Sequence, residues 1–332
     1  MPSWNIHIAH AEGLIADGGA LSRVVRDRNA FLFGNLIPDI YVGYMVPAIA
    51  EPIPYRLTHF AVPEHIPKPR EREFWDAYVV EAIRRAEGAR AGDPDGCDVG
   101  IDAGSIAAEV AHVSPAHRAD YELRADPRDT ARLQQDIFES DAVIDSGFWT
   151  NRPQNSPVNV QNPRSDLGQA AAVTAAATAG AAAATPAAPA APLPLEQSRA
   201  DLILGTWVHL LADTIWNQRV HDFLDERGET PSSGFRIKKQ SDFDQFGKSL
   251  SIDAVPLATP RLVELAAQFP QYPIDERSVY ATVAVAHEVV RTNTLFAEPE
   301  YRLLSREFFE CTFQEVQREA EERFAERAAA RP

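Results

Sequence analysis

The sequence has little cysteine and little methionine, two residues of each in a chain of 332. Cys97 and Cys311 lie far apart and form no CxxC pair. The sequence therefore predicts neither a disulfide framework nor a zinc site built from thiolates. Any metal site would have to draw its donors from histidine and carboxylate side chains instead.

Long apolar runs are also missing. No stretch approaches the roughly 18–20 apolar residues that a membrane-spanning helix needs. The first residues, MPSWNIHIAHAEG, have no basic region and no uninterrupted apolar core, so they do not resemble a secretory signal peptide. These features predict a soluble, cytoplasmic protein without a transmembrane segment.

Positive charge is scarce relative to negative charge, with 32 Lys and Arg against 48 Asp and Glu and a formal net charge of −16. A chain of this charge repels phosphate backbones, which makes nucleic-acid binding driven by charge an unexpected function. Adsorption onto an anionic membrane surface is disfavoured for the same reason.

One segment contains almost no large apolar side chains. Residues 150–197 are dominated at their end by alanine and proline. Such a segment buries too little surface to offset the ordering of its backbone, so we expect a disordered Ala/Pro-rich insertion. It would interrupt a single domain whose N-terminal part is 1–149 and whose C-terminal part is 198–328.

The flanks of this insertion have the periodicity of helices and little of the alternation typical of strands. The pattern predicts an all-α fold, a multi-helix bundle with long irregular connections. Helices are predicted near the N-terminus up to Gly18 and over five further segments: 70–90, 131–144, 199–224, 276–292 and 305–327.

The clearest candidate for metal chemistry is the motif GTWVHLLAD, which contains His209 and Asp213. Residues at i and i+4 of a helix differ in azimuth by only about 40°, so both side chains reach one point. An imidazole and a carboxylate are donors that suit zinc. The pair would equally serve as a hydrogen-bonded His–Asp pair that holds a bundle together.

Three further segments contain candidate polar residues among apolar neighbours. Asp39 follows Pro38 in FLFGNLIPDI, where Gly34 permits a close approach, and it could instead be a simple helix cap or turn residue. His59 has aromatic neighbours in YRLTHF and could instead be a structural histidine. His7 begins a His7–His10 pair at i and i+3, in which His10 is the alternative to His7.

Four motifs occur in order along the chain, MPxxxxH, GNLxPD, THF and GxxxHLxxD. This set resembles the bacterial zinc-dependent phospholipase C family, in particular its unsecreted members, to which the single-strand-specific zinc nucleases are distantly similar. The resemblance covers roughly residues 1–60 and 200–225. It implies a helical bundle around a zinc cluster and hydrolysis of phosphoric esters.

The resemblance also implies roles for individual residues. Four of them, Asp39, His59, His209 and Asp213, would hold one zinc ion. Asp213 would bridge to a second ion that His7 also binds, and Asp39 is where the family places its candidate general base. Bound zinc would lower the pKa of water and stabilise charge at phosphorus.

The sequence departs from the family pattern in three places. Trp4 is internal, so its nitrogen is an amide and cannot act as the N-terminal amine ligand of the secreted members. The later HxxxE pair is missing, because His287 is followed at i+4 by Arg291. Asn217 stands where a histidine would extend the site, and His221 is a strained substitute. We therefore expect one or two zinc ions rather than three.

The sequence thus predicts a zinc-dependent hydrolase of a phosphodiester or phosphomonoester, with a small phosphoester or a phospholipid head group as its partner. The alternative is a non-enzymatic helical protein in which the same residues hold a structural zinc or form a buried His/Asp network. For His65, His112 and His117 a surface or capping role is the simpler interpretation.

Overall fold

The computed structural model describes residues 2–16, 18–43, 45–46, 49, 51–61, 66–91, 193–293 and 299–330. All of them belong to one compact unit, which combines the two ends of the chain. The predicted helix 131–144 and residues 150–192 of the expected insertion lie outside the described residues. So do His65, His112 and His117.

The described residues form an all-α fold, as predicted, and the one β pairing among them is an isolated bridge between Ala61 and Pro69. The helices are α1 Trp4–Ala16, α2 Ala20–Val24, α3 Arg28–Gly34, α4 Ile37–Ile40, α5 Tyr55–Thr58, α6 Glu71–Phe74, α7 Val80–Ala91, α8 Leu195–Arg227, α9 Ser233–Ser249, α10 Pro260–Ala267, α11 Glu276–Arg291 and α12 Arg306–Ala329. A π-helical turn, Trp75–Val79, joins α6 to α7.

Helix α8 is the centre of the fold. Every residue from Ala200 to Asp213 is buried, and α1, α3, α7 and α12 pack around it. A helix that is covered on all sides can carry polar side chains only where they find partners inside the protein. Thr206, His209 and Asp213 are such buried polar residues.

The beginning of α8 differs from the sequence prediction. The helix starts at Leu195, so residues 195–197, which were expected to belong to the disordered insertion, are helical. Gln197 is buried, and its amide donates a hydrogen bond to Asp201 Oδ1 at 2.8 Å. At the other end, Gly228 stops the helix in a left-handed conformation with a φ of 62°.

Helices α3 and α8 cross with their backbones in contact. A Cβ atom on Gly34 would overlap with the carbonyl of Leu202, and one on Gly205 would overlap with the carbonyl of Phe31. The close approach that the sequence predicted at Gly34 is therefore present. It is tightened by Thr206, whose hydroxyl donates to the carbonyl oxygen of Gly34 at 3.0 Å.

Among the described residues, no helix combines the length and the apolar character that crossing a bilayer requires.

Candidate metal centre

Five buried side chains from four parts of the chain meet beside α8. His209 and Asp213 come from α8 itself, one helical turn apart. Asp39 comes from α4, His59 directly follows α5, and His7 comes from α1. His7, His59, His209 and Asp213 are fully buried, and Asp39 is 3% exposed. All five residues singled out in the sequence as candidate metal ligands therefore lie together.

His209 is held in one tautomer by α3. Its Nδ1 lies 2.7 Å from the carbonyl oxygen of Asn35, and a carbonyl can only accept, so Nδ1 carries the hydrogen. In a neutral ring, Nε2 then has a free lone pair. The α3–α8 crossing creates this contact because it brings Asn35 next to α8, where its side-chain amide also donates to the Gly205 carbonyl at 3.3 Å.

A different group orients His59. Its Nδ1 lies 2.8 Å from the hydroxyl of Thr58, which itself lies 3.3 Å from the carbonyl oxygen of Tyr55. In the tautomer in which this hydroxyl accepts from Nδ1–H, Nε2 of His59 has a free lone pair for a metal ion. Metal-binding histidines are commonly oriented through the other ring nitrogen in this way.

The Nε2 atoms of His59 and His209 face each other and are 3.2 Å apart. A carboxylate oxygen lies near each of them. His59 Nε2 is 3.4 Å from Asp39 Oδ1 and 3.5 Å from Asp213 Oδ2, and His209 Nε2 is 3.9 Å from Asp213 Oδ2.

These separations fit a tetrahedral ion. Ligands at about 2.0–2.1 Å from zinc lie about 3.3 Å from one another in a tetrahedron. The contacts of His59 Nε2 with His209, Asp39 and Asp213, at 3.2–3.5 Å, bracket that spacing. His209 Nε2 lies somewhat farther from the two carboxylates, 4.0 Å from Asp39 Oδ2 and 3.9 Å from Asp213 Oδ2. Imidazole nitrogens and carboxylate oxygens are donors that zinc accepts. The residues present thus fit the metal that the sequence motifs predict.

A second pair of donors lies on the other side of Asp213. His7 Nε2 is 3.4 Å from Asp213 Oδ1, which is longer than a normal hydrogen bond, and both atoms lack a hydrogen-bond partner. The His7 ring stacks on the His209 ring with centroids 3.8 Å apart. Asp213 therefore presents one oxygen to His59 and His209 and its other oxygen to His7.

Burial and mutual charge shift the titration of these groups. Burial lowers the pKa of His209 to about 3, and the nearby His7 acts in the same direction. Burial raises the pKa of a carboxyl group, but at Asp39 this is outweighed by His209 and His59, so its pKa is lowered. The same imidazoles, with His7, lower the pKa of Asp213 despite its burial. At neutral pH the centre thus holds ionised carboxylates and a neutral His209.

The other histidines considered in the sequence lie elsewhere. His10 accepts a hydrogen bond from Trp216 Nε1 at 3.2 Å and stacks on Phe313 with centroids 4.1 Å apart. His221 Nε2 lies 3.1 Å from the carbonyl of Ile66 and His287 Nε2 lies 3.1 Å from that of Pro256. Asn217 donates to the carbonyl of Pro67. Two groups of three potential metal donors lie among the described residues, one formed by His7, His209 and Asp213 and the other by Asp39, His59 and His209. Neither donor group includes His10, Asn217, His221 or His287.

Three neighbours of the centre were not anticipated as site residues. Trp4 Nε1 donates to Asp39 Oδ2 at 3.0 Å, and Asn35 orients His209 through its carbonyl. Tyr55 donates its hydroxyl hydrogen to Asp213 Oδ2 at 2.8 Å and stacks on the His59 ring with centroids 3.7 Å apart. From the sequence, only the backbone nitrogen of Trp4 was considered, and nothing there indicated that its indole would contact Asp39. For Tyr55, the i to i+4 spacing to His59 could have indicated the contact between the two rings.

The metal-free protein is expected to lose stability as the pH falls. The ordinary pKa of histidine is 6.5, whereas folding lowers that of His209 to about 3. Between these values the unfolded chain takes up a proton that the folded protein does not, so the unfolding free energy should drop by about 1.4 kcal/mol per pH unit for this group. His10, whose pKa burial also lowers, adds to the slope.

Chemical denaturation of chelator-treated protein from pH 7.5 to pH 4.5 measures this slope. A His209→Ala variant, which lacks the group, should give a shallower dependence. An unfolding free energy that stays constant, or that rises between pH 6.5 and pH 5, would contradict the assignment of a buried neutral His209.

Comparison of this chain with family models, with curated proteins and with solved structures finds no match.

Proposed function

We propose that this protein is a zinc-dependent hydrolase of a phosphodiester or phosphomonoester, similar to the zinc-dependent phospholipases C. The observation that carries the proposal is the meeting of two imidazole nitrogens, Nε2 of His59 and of His209, with two ionised carboxylates inside the protein. The order of the four sequence motifs adds independent support, because it selects the same residues.

In this proposal Asp39, His59, His209 and Asp213 hold one zinc ion, and His7 with Asp213 offers a second position. Zinc at this site would lower the pKa of a bound water and stabilise negative charge on the phosphoryl group. Asp39 is ionised at neutral pH and is the proposed proton acceptor. The Asn35 carbonyl fixes the tautomer of His209 that can bind the ion, and the Thr58 hydroxyl orients the ring of His59 through Nδ1.

The burial of the donors favours a second candidate function. None of the five residues is more than 3% exposed, and a structural zinc is enclosed by four protein ligands, whereas a catalytic zinc keeps an open position. The alternative is therefore a helical protein that is not an enzyme and in which zinc stabilises the fold.

Chelation separates the two functions. If the protein is a hydrolase, zinc-loaded protein should release nitrophenolate from bis(4-nitrophenyl) phosphate or 4-nitrophenyl phosphate, and chelator should stop the release without unfolding the helices. A short-chain phosphatidylcholine tests the phospholipid substrate in parallel. Stoichiometric zinc without turnover on any of the three, together with unfolding on chelation, would instead establish the structural role.

A further inference from the structure

The indole of Trp4 is the neighbour of the centre whose contact is hardest to explain as packing alone. Trp4 is the first residue of α1 and is 1% exposed. Its Nε1–H points at Asp39 Oδ2 and lies 3.0 Å from it. His7 lies three residues later on the same helix, so one end of α1 contacts both carboxylates of the centre, Asp39 through Trp4 and Asp213 through His7.

This hydrogen bond makes the two oxygens of Asp39 unequal. Oδ2 accepts from the indole and lies 4.0 Å from His209 Nε2, whereas Oδ1 has no hydrogen-bond partner and lies closer to the centre, 3.4 Å from His59 Nε2. Rotation of the carboxylate about its Cβ–Cγ bond would exchange the two oxygens, and the fixed indole donor opposes that rotation. A buried acceptor that lost this donor would also lose a charge-assisted hydrogen bond.

We propose that Trp4 is a positioning residue, which holds Asp39 so that Oδ1 is directed into the metal centre. The inference rests on the proposed function in so far as it requires zinc to bind at this centre. Asp39 would then be oriented by an indole donor just as His209 is by the Asn35 carbonyl and His59 by the Thr58 hydroxyl. Loss of such an orienting partner typically weakens metal binding by about 10–100-fold.

A matched control exists in the same fold. Trp207 is also fully buried, and its Nε1 donates to a carboxylate, Glu71 Oε2, at 2.8 Å. It is two residues from His209 on α8, and about 200° around the helix, so it faces away from the centre. Trp207→Phe therefore removes an indole-to-carboxylate hydrogen bond and a similar volume without touching any of the five donors.

The test is the dissociation constant of zinc, measured by competition with a chromogenic chelator, for wild type, Trp4→Phe and Trp207→Phe. Trp4→Phe should weaken zinc binding by about 10–100-fold, and Trp207→Phe should leave it within about threefold of wild type. The visible absorption of bound cobalt(II), which responds to coordination geometry, should change in Trp4→Phe and not in Trp207→Phe.

A second variant controls for the loss of side-chain volume in Trp4→Phe. Replacement of Trp4 by 3-benzothienylalanine keeps the ring size and replaces N–H by sulfur, and it should weaken zinc binding as Trp4→Phe does. Wild-type affinity in this variant, or equal weakening in Trp207→Phe, would overturn the role of Trp4 and leave the proposed function standing. A wild-type protein that binds no zinc would overturn both.

Discussion

Replacement of His209 by alanine is expected to remove the stabilisation of this protein by zinc. His209 Nε2 belongs to both donor groups of the centre, so its loss breaks both at once. When free zinc exceeds its dissociation constant 1,000-fold, binding to the native state adds about 4 kcal/mol to the free energy of unfolding. Chemical denaturation with and without zinc should show that increment in wild type and less than about 1 kcal/mol of it in His209→Ala.

His10→Ala is the control for this experiment. His10 is as buried as His209 but contacts Trp216 and Phe313 instead of the other donors. Both substitutions should lower the stability of the metal-free protein, because each removes a buried ring and leaves a buried polar partner without its hydrogen bond. Only His209→Ala should lose the zinc increment. Retention of the full increment in His209→Ala would show that zinc binds elsewhere.

Replacement of Gly205 by alanine is expected to destabilise the protein by about 3 kcal/mol or to prevent folding. The added Cβ would overlap with the backbone carbonyl of Phe31, and a backbone has no rotamer with which to give way. Helices α3 and α8 would have to separate, and this would pull the Asn35 carbonyl away from His209 Nδ1. The free energy of unfolding of metal-free protein measures the first effect, and zinc affinity measures the second.

Gly88→Ala is the matched substitution for this prediction. Gly88 lies within α7, and a Cβ there would meet no atom within 4 Å. Alanine is favoured over glycine in a helix by about 0.8–1.0 kcal/mol, so this variant should be slightly more stable than wild type. Gly205→Ala protein as stable as Gly88→Ala protein would contradict the contact between the backbones of α3 and α8.

Much of the helical framework could be predicted from periodicity alone. Helix α11 and helix α12 lie within a few residues of their predicted bounds, and in the structure each begins after a residue that caps it through its side chain, Asp275 or Ser305. Helix α9 was not predicted. Its sequence is largely polar, and its few apolar residues form no continuous apolar face at helical spacing. The burial of Phe243 and Phe246 depends on neighbours that are remote in sequence.

The candidate donors could also be predicted, but their arrangement could not. Spacing on a helix is local information, and it was enough to pair His209 with Asp213. The choice between His7 and His10 is different, because both are fully buried on α1 and the structure alone shows which one faces Asp213. The tautomer of His209 depends on a backbone carbonyl, that of Asn35, which any residue type would supply.

We propose that two imidazole nitrogens and two carboxylates enclose a zinc site in this protein. X-ray absorption at the zinc edge, on protein loaded with zinc and freed of excess metal, measures the ligands of that ion. We expect at least about one zinc per chain, with nitrogen and oxygen ligands at about 2.0–2.1 Å and an imidazole contribution that is lost in His209→Ala. Protein that retains no zinc, or zinc with sulfur ligands at about 2.3 Å, would contradict it.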